Sequence, residues 1–478
     1  MDYFNIFTNI TVVLALGWYL ITNLQWYNYK LDRVVFKHHK IQWHIVYFVT
    51  PFVLFYLLDS LLFGVYFYIL YMSSFVIWNR KLDRPLVLTS RVKRFLVILL
   101  FTTLCINLLI FFSEDSTSAI IFVPLLIAYI ISDLLEKMFF VTFKQRAKKR
   151  LKSIPDLKIV AITASYGKTS IKNYLHQVIR NKYKSYKTPR SVNTIAGIVL
   201  DVNKDLPDDT EVYIAEAGAR QTGDIEEITT FLEPQYTIIG SVGEQHIEYF
   251  KTIDNIIYTK MEILKSPRLV KGFVHESVPI LDYPKIERFP NNLNITMSNL
   301  DGIWFDIELN GVTQHFNAPI LGSFNAINLT AVILTALELG MSIEEIKVAL
   351  HEIEPVEHRL QLIKAGGKVI VDDSFNGNLE GMLEAVKICK EYEGRKVIIT
   401  PGLVESTLEA NTTLANAIDE AFDVVILTGS LNIKVLSEHI DSTKIVTLKD
   451  KKAMEECLAR TTKVGDLILF ANDAPNFI

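Results

Sequence analysis

The tripeptide GKT at 167–169 has the composition of a loop that binds the phosphates of a nucleotide. It follows a short apolar run, Ile159 to Thr163, and precedes an amphipathic stretch from Ser170 to Arg180. A strand, a turn that exposes backbone N–H groups and a helix that opens with Gly-Lys-Ser/Thr together hold phosphate oxygens. The strict pattern has an earlier glycine where this chain has Ile162. The segment therefore predicts a phosphate site with an altered first turn.

Three further groups that could act on a bound nucleotide follow this loop. Glu216 lies in an apolar run, His246 comes just beyond the next run, and Lys260 lies on a predicted helix. In a parallel sheet the carboxyl ends of the strands meet at the edge where ligands bind. Each residue has a simpler alternative, as a helix cap, a polar loop residue or a solvated side chain. Together after a GKT they favour a phosphate and metal site.

The elements that would position these groups are short β-branched runs that alternate with amphipathic stretches. Predicted strands lie at 158–163, 212–218, 236–243, 368–373, 396–400, 423–429, 444–448 and 466–471. This alternation is typical of parallel sheets with helices on both faces. The segment 302–316 instead predicts a hairpin that turns at Asn310–Gly311. We expect a helix at 325–339 that ends at Gly340, and a short hinge between two α/β lobes near 360–366.

The first 135 residues are much more apolar than the rest of the chain. Stretches long enough to cross a bilayer occur at 6–26, 41–78, 95–112 and 119–135. The second is long enough for two crossings that turn near Asp59, which we interpret as an interfacial residue at a helix turn. About five membrane spans are therefore predicted. The first stretch lacks a small-residue cleavage site, which favours a retained helix over a signal peptide.

The charges of the loops predict the orientation of these spans. Lysine and arginine are concentrated at 30–40, 80–94 and 144–152, whereas the turn near Asp59 has none and the loop at Glu114 and Asp115 is acidic. Basic loops stay on the cytoplasmic side of a membrane. The pattern predicts an external N-terminus and a cytoplasmic location for everything after residue 136.

The overall composition excludes some classes of function. The net charge is −4 over 478 residues, which gives no indication of nucleic-acid binding. The cysteines Cys105, Cys389 and Cys457 lie far apart. Without a CxxC spacing, neither a zinc site nor a disulfide framework is predicted.

The motifs of the second part of the chain resemble those of the ATP-dependent Mur ligases over about 155–470. The P-loop segment ITASYGKTSIK has Ala164 where the family usually has glycine, and SVNTIAGIV (191–199) has Thr194 in place of a second asparagine. Other segments similar to family motifs are EAGARQTGDIEEI (216–228), GEQHIEYF (243–250), TKMEI (259–263), LGSFNAINLTAV (321–332), HRLQ (358–361), DDSFNGN (372–378) and TPGLVE (400–405).

The resemblance implies a fold and a reaction. We expect a multi-pass α-helical membrane region over 1–150, a P-loop central Mur ligase domain over 151–362 and a Rossmann-like C-terminal α/β domain over 363–478. The implied activity is amide-bond formation with ATP and Mg²⁺. ATP would convert a carboxylate to an acyl phosphate, which an amine then attacks.

The resemblance also implies roles for single residues. Gly167, Lys168, Thr169, Ser170, Asn325, Arg359 and Asp373 would bind ATP. Thr169 would hold one Mg²⁺, and Glu216, His246 and a carbamylated Lys260 would hold a second. Lys168, His246 and Lys260 would act in catalysis, and Asn193, Ser374 and Asn376 would face the substrates.

Three departures from the family pattern bear on the substrate site. The domain that usually holds the uridine nucleotide has no counterpart, and the predicted spans occupy its place. Phe375 stands where a tyrosine is usual, which removes a hydroxyl. The last strand runs into Ala471-Asn472-Asp473 instead of Lys-Gly-Ser.

Three hypotheses for the function follow. The first is a ligase that adds D-Ala-D-Ala to a UDP-MurNAc-tripeptide at the bacterial inner membrane, with cytoplasmic catalytic domains that contact membrane lipids and other membrane enzymes of peptidoglycan synthesis. The second keeps this chemistry but extends polyglutamate or a lipid-linked precursor. The third is a non-enzymatic membrane scaffold, which the retained Lys168, Glu216 and Lys260 argue against.

Overall fold

The computed structural model describes residues 3–36, 38, 40–82, 85–112, 120–243, 247–279, 284–290, 292–375, 377–404, 406–448 and 453–472. The chain divides into two compact units, Met1–Phe143 and Lys144–Ile478. The predicted domain limits at 150/151 and 362/363 stay predictions.

The regular elements described in the first unit are all helices, and the last of them continues along the chain past Phe143. These helices are α1 (Tyr3–Trp26), α2 (Leu31–Phe36), α3 (Ile41–Leu57), α4 (Ser60–Arg80), α5 (Ser90–Phe112) and α6 (Val123–Ser153). Buried polar pairs link them, including Asn9 on α1 and Asn107 on α5, with Nδ2 and Oδ1 3.3 Å apart. The Asp59 carboxylate accepts hydrogen bonds from two backbone N–H groups at the start of α4. This residue therefore lies at a helix turn, as its interpretation required.

The number of candidate membrane spans is smaller than expected. Among the described residues, α1, α4 and α5 are long and apolar enough to cross a membrane by length and composition. The predicted crossing at 41–57 is the shorter apolar helix α3. The predicted crossing at 119–135 differs more, because most of its described part belongs to the 31-residue helix α6, which continues into a basic segment.

The second unit begins with an all-parallel sheet. Its strands are β1 (Lys158–Thr163), β2 (Ser185–Lys187), β3 (Val212–Glu216), β4 (Tyr236–Ile239), β5 (Lys271–His275) and β6 (Ile286–Phe289), in the order β2-β3-β1-β4-β5-β6. The connecting helices are α7 (Lys168–Ile179), α8 (Ile195–Lys204), α9 (Asp224–Leu232), α10 (Ile247–Phe250) and α11 (Ile253–Met261). The predicted strands at 212–218 and 236–243 are confirmed but end earlier, at Glu216 and Ile239, because the residues that follow leave the sheet.

A small antiparallel sheet and a buried helix complete this lobe. Strands β7 (Leu293–Asn299), β8 (Gly302–Leu309) and β9 (Val312–Ala318) form the sheet. The predicted hairpin is confirmed, with Asn310 and Gly311 both left-handed at φ 52° and 77°, as a two-residue hairpin turn requires. Strand β7 was not predicted, because most of its side chains are exposed and it lacks an apolar face.

Helix α12 (Phe324–Glu338) lies in the core of the lobe and is followed by α13 (Ile343–His351). Its apolar side chains belong to one cluster with those of β1, α7 and β8. A helix that is apolar almost all round is expected in a protein interior. The prediction of 325–339 is confirmed within one residue at each end, and Gly340 follows at φ 102°.

The C-terminal lobe is a second α/β layer structure. Its strands are β10 (Gln361–Ala365), β11 (Lys368–Asp373), β12 (Lys396–Thr400), β13 (Val424–Thr428), β14 (Ile445–Leu448) and β15 (Leu467–Ala471), in the order β10-β11-β15-β12-β13-β14. Its helices are α14 (Leu379–Lys390), α15 (Leu408–Ala421), α16 (Ile433–His439) and α17 (Met454–Thr461). Only β10 is antiparallel to its neighbour. The expected hinge at 360–366 is therefore wrong, because most of that segment is β10.

Truncation of a core side chain of α12 should destabilise the central lobe. Leu329 is fully buried, so Leu329→Ala should lower the free energy of unfolding by about 3 kcal/mol. Leu200→Ala is the matched control, because Leu200 also lies on a helix but is 62% exposed, and its effect should stay within about 0.5 kcal/mol. Thermal and denaturant unfolding of the full chain measure both, and equal effects would contradict this assignment of the core.

Candidate active site

The loop between β1 and α7 packs against the segment that follows β4. The Ser165 backbone N–H donates to the Ser241 carbonyl at 2.8 Å, and the Ser165 hydroxyl donates to the Gly243 carbonyl at 2.9 Å. Ala164 is fully buried and lies outside the left-handed region. The glycine that is usual at position 164 is therefore not required here, because alanine adopts this backbone without strain.

Gly167 is required by both its conformation and its surroundings. Its φ is 82°, and a Cβ atom there would lie 2.5 Å from Oδ1 of Asn328 on α12. Position 167 caps the N-terminus of α7, where backbone N–H groups have no partner within the helix. The loop therefore keeps the close backbone approach and free donors that phosphate binding needs.

Lys168 opens α7 and folds back over the loop. Its ammonium donates to the carbonyls of Ala164 at 2.6 Å and Ser165 at 3.0 Å. Burial lowers the pKa of Lys168 to about 8; the Glu216 carboxylate opposes this shift and the Arg359 guanidinium adds to it. Lys168 and Arg359 are thus two positive groups close enough to repel each other, as expected where a polyanion binds.

Glu216, the last residue of β3, is the centre of a buried polar cluster and is 1% exposed. Its Oε2 accepts hydrogen bonds from the Thr169 hydroxyl and from the Lys172 ammonium, both at 3.1 Å. Its Oε1 accepts one from Nδ2 of Asn193 at 3.2 Å. The predicted residues Thr169, Asn193 and Glu216 are therefore brought together by three different segments.

Lys172 is a residue of this cluster that the sequence did not reveal. It is 1% exposed, and its ammonium also donates to the backbone carbonyl of Arg190. Its neighbours Ile171 and Leu175 on α7 are fully buried. A lysine within the apolar face of a helix indicates pairing with a buried anion, but the sequence does not show that this anion is Glu216.

Lys260, near the end of α11, is 7% exposed. Burial, helped by the Lys168 charge, lowers the pKa of Lys260 to about 7. At neutral pH a large fraction of this side chain is therefore an uncharged amine. Glu262, in the same TKMEI segment, has a structural role, since its two carboxylate oxygens accept hydrogen bonds from the backbone N–H groups of Gly223 and Glu226 at the start of α9.

The predicted residues His246 and Asn376 lie outside the described residues. Among those that are described, no group of three or more His, Cys, Asp or Glu side chains could hold a metal ion. Of the predicted Mg²⁺ ligands, the described oxygen donors are the Glu216 carboxylate and the Thr169 hydroxyl, which lie 3.1 Å apart. Ser170, on the first turn of α7, is buried.

Asn325, the predicted adenine contact, lies on the first turn of α12 and is 2% exposed. Its Nδ2 donates to the Leu321 carbonyl at 2.7 Å, and its Oδ1 accepts from Nδ2 of Asn328 at 3.0 Å. Because Asn328 also touches position 167, these two asparagines connect the phosphate loop with the predicted adenine site.

Arg359 lies on the connection between the lobes, between two left-handed residues, His358 at φ 61° and Leu360 at φ 50°. Asp373 on β11 accepts the Leu360 backbone N–H at 3.0 Å. The backbone of Leu360, the residue after Arg359, therefore connects the two predicted ATP contacts, Arg359 and Asp373.

Asp372, which had no predicted role, organises the end of β11. It is fully buried and accepts hydrogen bonds from Nδ1 of His358 at 2.7 Å and from the Ser374 hydroxyl at 2.6 Å. The hydrogen bond from its hydroxyl to Asp372 thus fixes the orientation of the predicted substrate residue Ser374. Phe375 next to it is 60% exposed.

Comparison with known proteins agrees with this arrangement. Residues 162–336 match the Mur ligase middle domain. This part of the chain, which holds the phosphate loop, Glu216 and Lys260, is therefore similar to the middle domain of the Mur ligases. The chain is 25% identical over 354 residues to the UDP-N-acetylmuramoyl-tripeptide–D-alanyl-D-alanine ligase of Bacillus subtilis, covering 68% of this chain and 75% of that one. The enzyme of the same name from Borreliella burgdorferi is 30% identical, covering 57% of this chain and 62% of that one.

Solved Mur ligases have the same fold. The MurF ligase of Thermotoga maritima, determined in complex with ADP, superposes with a TM-score of 0.59 at 22% identity and covers 70% of this chain and 80% of its own. A MurF structure from Acinetobacter baumannii gives a TM-score of 0.61 at 22% identity, with 70% and 78% covered. The α/β fold of the second unit is therefore that of a Mur ligase.

Gly167→Ala should weaken nucleotide binding more than its backbone strain explains. A left-handed alanine costs about 1 kcal/mol, and here the added methyl group also overlaps Asn328 and displaces the loop. Gly311→Ala is the matched control, because its φ is 77° and no atom lies within 4 Å of the added Cβ. Titration of ATP into the full chain should show about a tenfold or greater loss of ATP affinity for Gly167→Ala and no loss for Gly311→Ala. Equal affinities in the two variants would contradict the assignment.

Proposed function

We propose that this chain is a Mur ligase that joins D-alanyl-D-alanine to a UDP-N-acetylmuramoyl tripeptide in the synthesis of peptidoglycan precursors, with ATP as the energy source. The observation that carries the proposal is the convergence of Lys168, Glu216 and Lys260 at the carboxyl edge of the central sheet. The relatives that the chain resembles in sequence bear the name of this reaction.

The proposed ATP site is built around the first turn of α7. Backbone N–H groups of 167–170 and the Lys168 ammonium would bind the phosphates, and Asn325 would contact the adenine. Arg359 and Asp373 would contact the ribose and phosphates from the C-terminal lobe. The mutual repulsion of Lys168 and Arg359 supports this arrangement, because a bound polyphosphate would neutralise both.

The residues at the Glu216 cluster fit Mg²⁺. Carboxylate and hydroxyl oxygens are ligands that this cation prefers, and it commonly takes few of them from the protein and others from phosphates. Thr169 would hold one Mg²⁺, and Glu216 would hold a second together with His246 and a carbamylated Lys260. When bound, Mg²⁺ would neutralise the charge that develops on the transferred phosphoryl group.

The pKa of Lys260 supports its proposed carbamylation. Only an uncharged amine attacks CO₂, and an ordinary lysine, with a pKa near 10.4, is almost wholly protonated at pH 7. With its pKa lowered to about 7, Lys260 presents that amine under ordinary conditions. The carbamate would replace a positive charge beside Lys168 by a negative one, which removes the repulsion between the two side chains.

The chemistry of ligation then follows from charge and from exclusion of water. The substrate carboxylate would attack the γ-phosphorus of ATP, releasing ADP and forming an acyl phosphate. The amine of the dipeptide would attack the acyl carbon, and phosphate would leave with the electrons of the C–O bond while the nitrogen loses its proton. Asn193, Ser374 and Asn376 would position the two substrates, and closure of the C-terminal lobe would protect the acyl phosphate from hydrolysis.

We propose that the first unit is embedded in the bacterial inner membrane and holds the ligase on the cytoplasmic side. The charge pattern favours five crossings over three, because with α1, α4 and α5 alone the basic loop at 80–94 would lie outside. Crossings by α3 and by the start of α6 would return that loop to the cytoplasm. The basic end of α6 gives less support than expected, since Lys144, Lys148 and Arg150 belong to the second unit and pair with acidic residues within it.

A second candidate keeps this chemistry but acts on polyglutamate or a lipid-linked precursor. The apolar first unit favours it, because an enzyme held at the bilayer reaches acceptors that are anchored there. A folylpolyglutamate synthase from Thermotoga maritima shares the fold, with a TM-score of 0.51 at 14% identity, a level that supports only the common architecture.

A substrate screen of the full chain in detergent or nanodiscs decides between these functions. We expect ADP release that requires both UDP-MurNAc-tripeptide and D-Ala-D-Ala, with a product heavier by one dipeptide. Lys168→Ala should abolish it, whereas Lys184→Ala, an exposed lysine of the same lobe, should leave it unchanged. Turnover only with polyglutamate or lipid-linked acceptors would favour the second candidate, and no turnover with any acceptor would favour a scaffold.

Lys260→Ala should reduce ligation on the order of 100-fold, and added formate or acetate should restore part of it, because a small carboxylate can occupy the place of the carbamate. With ¹³C-bicarbonate, the full chain should show a carbamate resonance that grows as the pH rises through about 7, where this amine loses its proton. Lys265→Arg, at an exposed lysine nearby, should keep the resonance, and Lys260→Arg should lose it. A carbamate signal that survives Lys260→Arg would contradict the assignment.

A further inference from the structure

The loop between β2 and α8 holds an arginine in a costly backbone conformation. Arg190 has φ 46°, and the only other described lysine or arginine with a left-handed φ is Lys251. Glycine and asparagine adopt this region at lower cost. Strained residues of this kind persist where the surrounding structure enforces them and where the side chain is used.

The structure shows what enforces the conformation. The backbone carbonyl of Arg190 accepts a hydrogen bond from the buried Lys172 ammonium, which also binds Glu216. The two ends of the loop are attached to β3 and its extension, since the Thr188 N–H donates to Ile214 at 3.0 Å and the Gly218 N–H donates to the Asn193 carbonyl at 2.8 Å. The backbone carbonyl of Arg190 is therefore held facing the Glu216 cluster by its hydrogen bond from Lys172.

The guanidinium group of Arg190 remains available. The residue is exposed, and its side chain forms no hydrogen bond or ion pair with any residue that the structure describes. Arg220, four residues beyond the end of β3, is also exposed, and within the described part of the chain its guanidinium is likewise unpaired. The contacts between Asn193 and the segment 216–218 make the loops that carry these two arginines neighbours.

We propose that Arg190, assisted by Arg220, binds a non-reacting oxyanion of the carboxylate substrate and so sets the specificity of the ligase for that substrate. This rests on the proposed function. Both arginines lie at the carboxyl edge of the sheet, where the substrate must approach the nucleotide phosphates. An arginine presents several donors in a fixed planar fork that matches carboxylates and phosphates.

Lys172 connects this contact to the phosphate site. One ammonium holds both the carbonyl of Arg190 and the carboxylate of Glu216, which lies beside Thr169. The backbone at position 190 is therefore fixed relative to the groups that would bind Mg²⁺ and phosphate. The substrate anion and the transferred phosphoryl group would then be held by one continuous set of hydrogen bonds.

Arg190→Gly is the decisive variant, because it removes the charge and relieves the backbone strain at the same time. The full chain should unfold at an unchanged or higher temperature. The KM for the tripeptide substrate should rise about tenfold or more, with kcat and the KM for ATP little changed, as for a contact made equally in the bound and transition states. Arg190→Lys should be intermediate. Lys251→Gly is the matched control, since it also removes a positive charge from an exposed left-handed residue, and it should leave the KM unchanged.

Two modified substrates identify the oxyanion. One has the free carboxylate of its second peptide residue converted to an amide, and the other is the muramyl tripeptide without the uridine diphosphate. Losing the recognised group should raise the KM of the wild-type chain and have no further effect on Arg190→Gly. If Arg190→Gly has a wild-type KM, or discriminates against both analogues as the wild type does, the proposal is wrong.

Direct binding separates this test from that of the proposed function. The tripeptide nucleotide is titrated into the full chain with the ATP site filled by a non-hydrolysable analogue and Mg²⁺. Binding that weakens in Arg190→Gly supports the arginine contact even if no ligation is observed. Wild-type ligation with unchanged binding by Arg190→Gly overturns the contact alone, and a wild-type chain that neither binds nor ligates the substrate overturns both.

Discussion

The buried carboxylate of Glu216 is the group on which the arrangement of the central lobe depends. A carboxylate that is 1% exposed must be neutralised and hydrogen-bonded, or its burial costs several kcal/mol. Here the partners come from the phosphate-loop helix and from the loop after β2, so their positions are tied to one another. The same requirement explains why a lysine, Lys172, can lie in the apolar face of α7.

The elements that could be predicted from the sequence are those whose conformation depends on their own residues and not on distant partners. The strands at 158–163, 368–373 and 396–400 agree with the structure because each contains a run of apolar, mostly β-branched residues that pairs with a parallel neighbour. Asn310-Gly311 predicts its turn because both positions need a left-handed backbone. The buried roles of Lys172 and Asp372 could not be derived in this way. They depend on partners at Glu216, His358 and Ser374, whose proximity only the folded chain shows.

The positively charged groups of the candidate site repel one another. Lys168 repels both Arg359 and Lys260, and burial disfavours the charge on Lys168 and Lys260. Such an arrangement lowers the stability of the empty site and raises its affinity for anions. The binding of phosphate oxygens, or the conversion of Lys260 to an anion, would thus relieve the repulsion within the empty site.

Strand β10 has a consequence for any attempt to separate the two lobes. It pairs with β11 along its whole length, from Gln361 to Ala365, and so covers what would otherwise be an open edge of the C-terminal sheet. A cut at 362/363 would pass through this strand and expose the backbone N–H and C=O groups of β11. A cut before His358 would leave the shorter β10 as the edge strand, as in the whole chain, whereas a cut at 362/363 would make the longer β11 the edge strand, which pairs more readily with other chains.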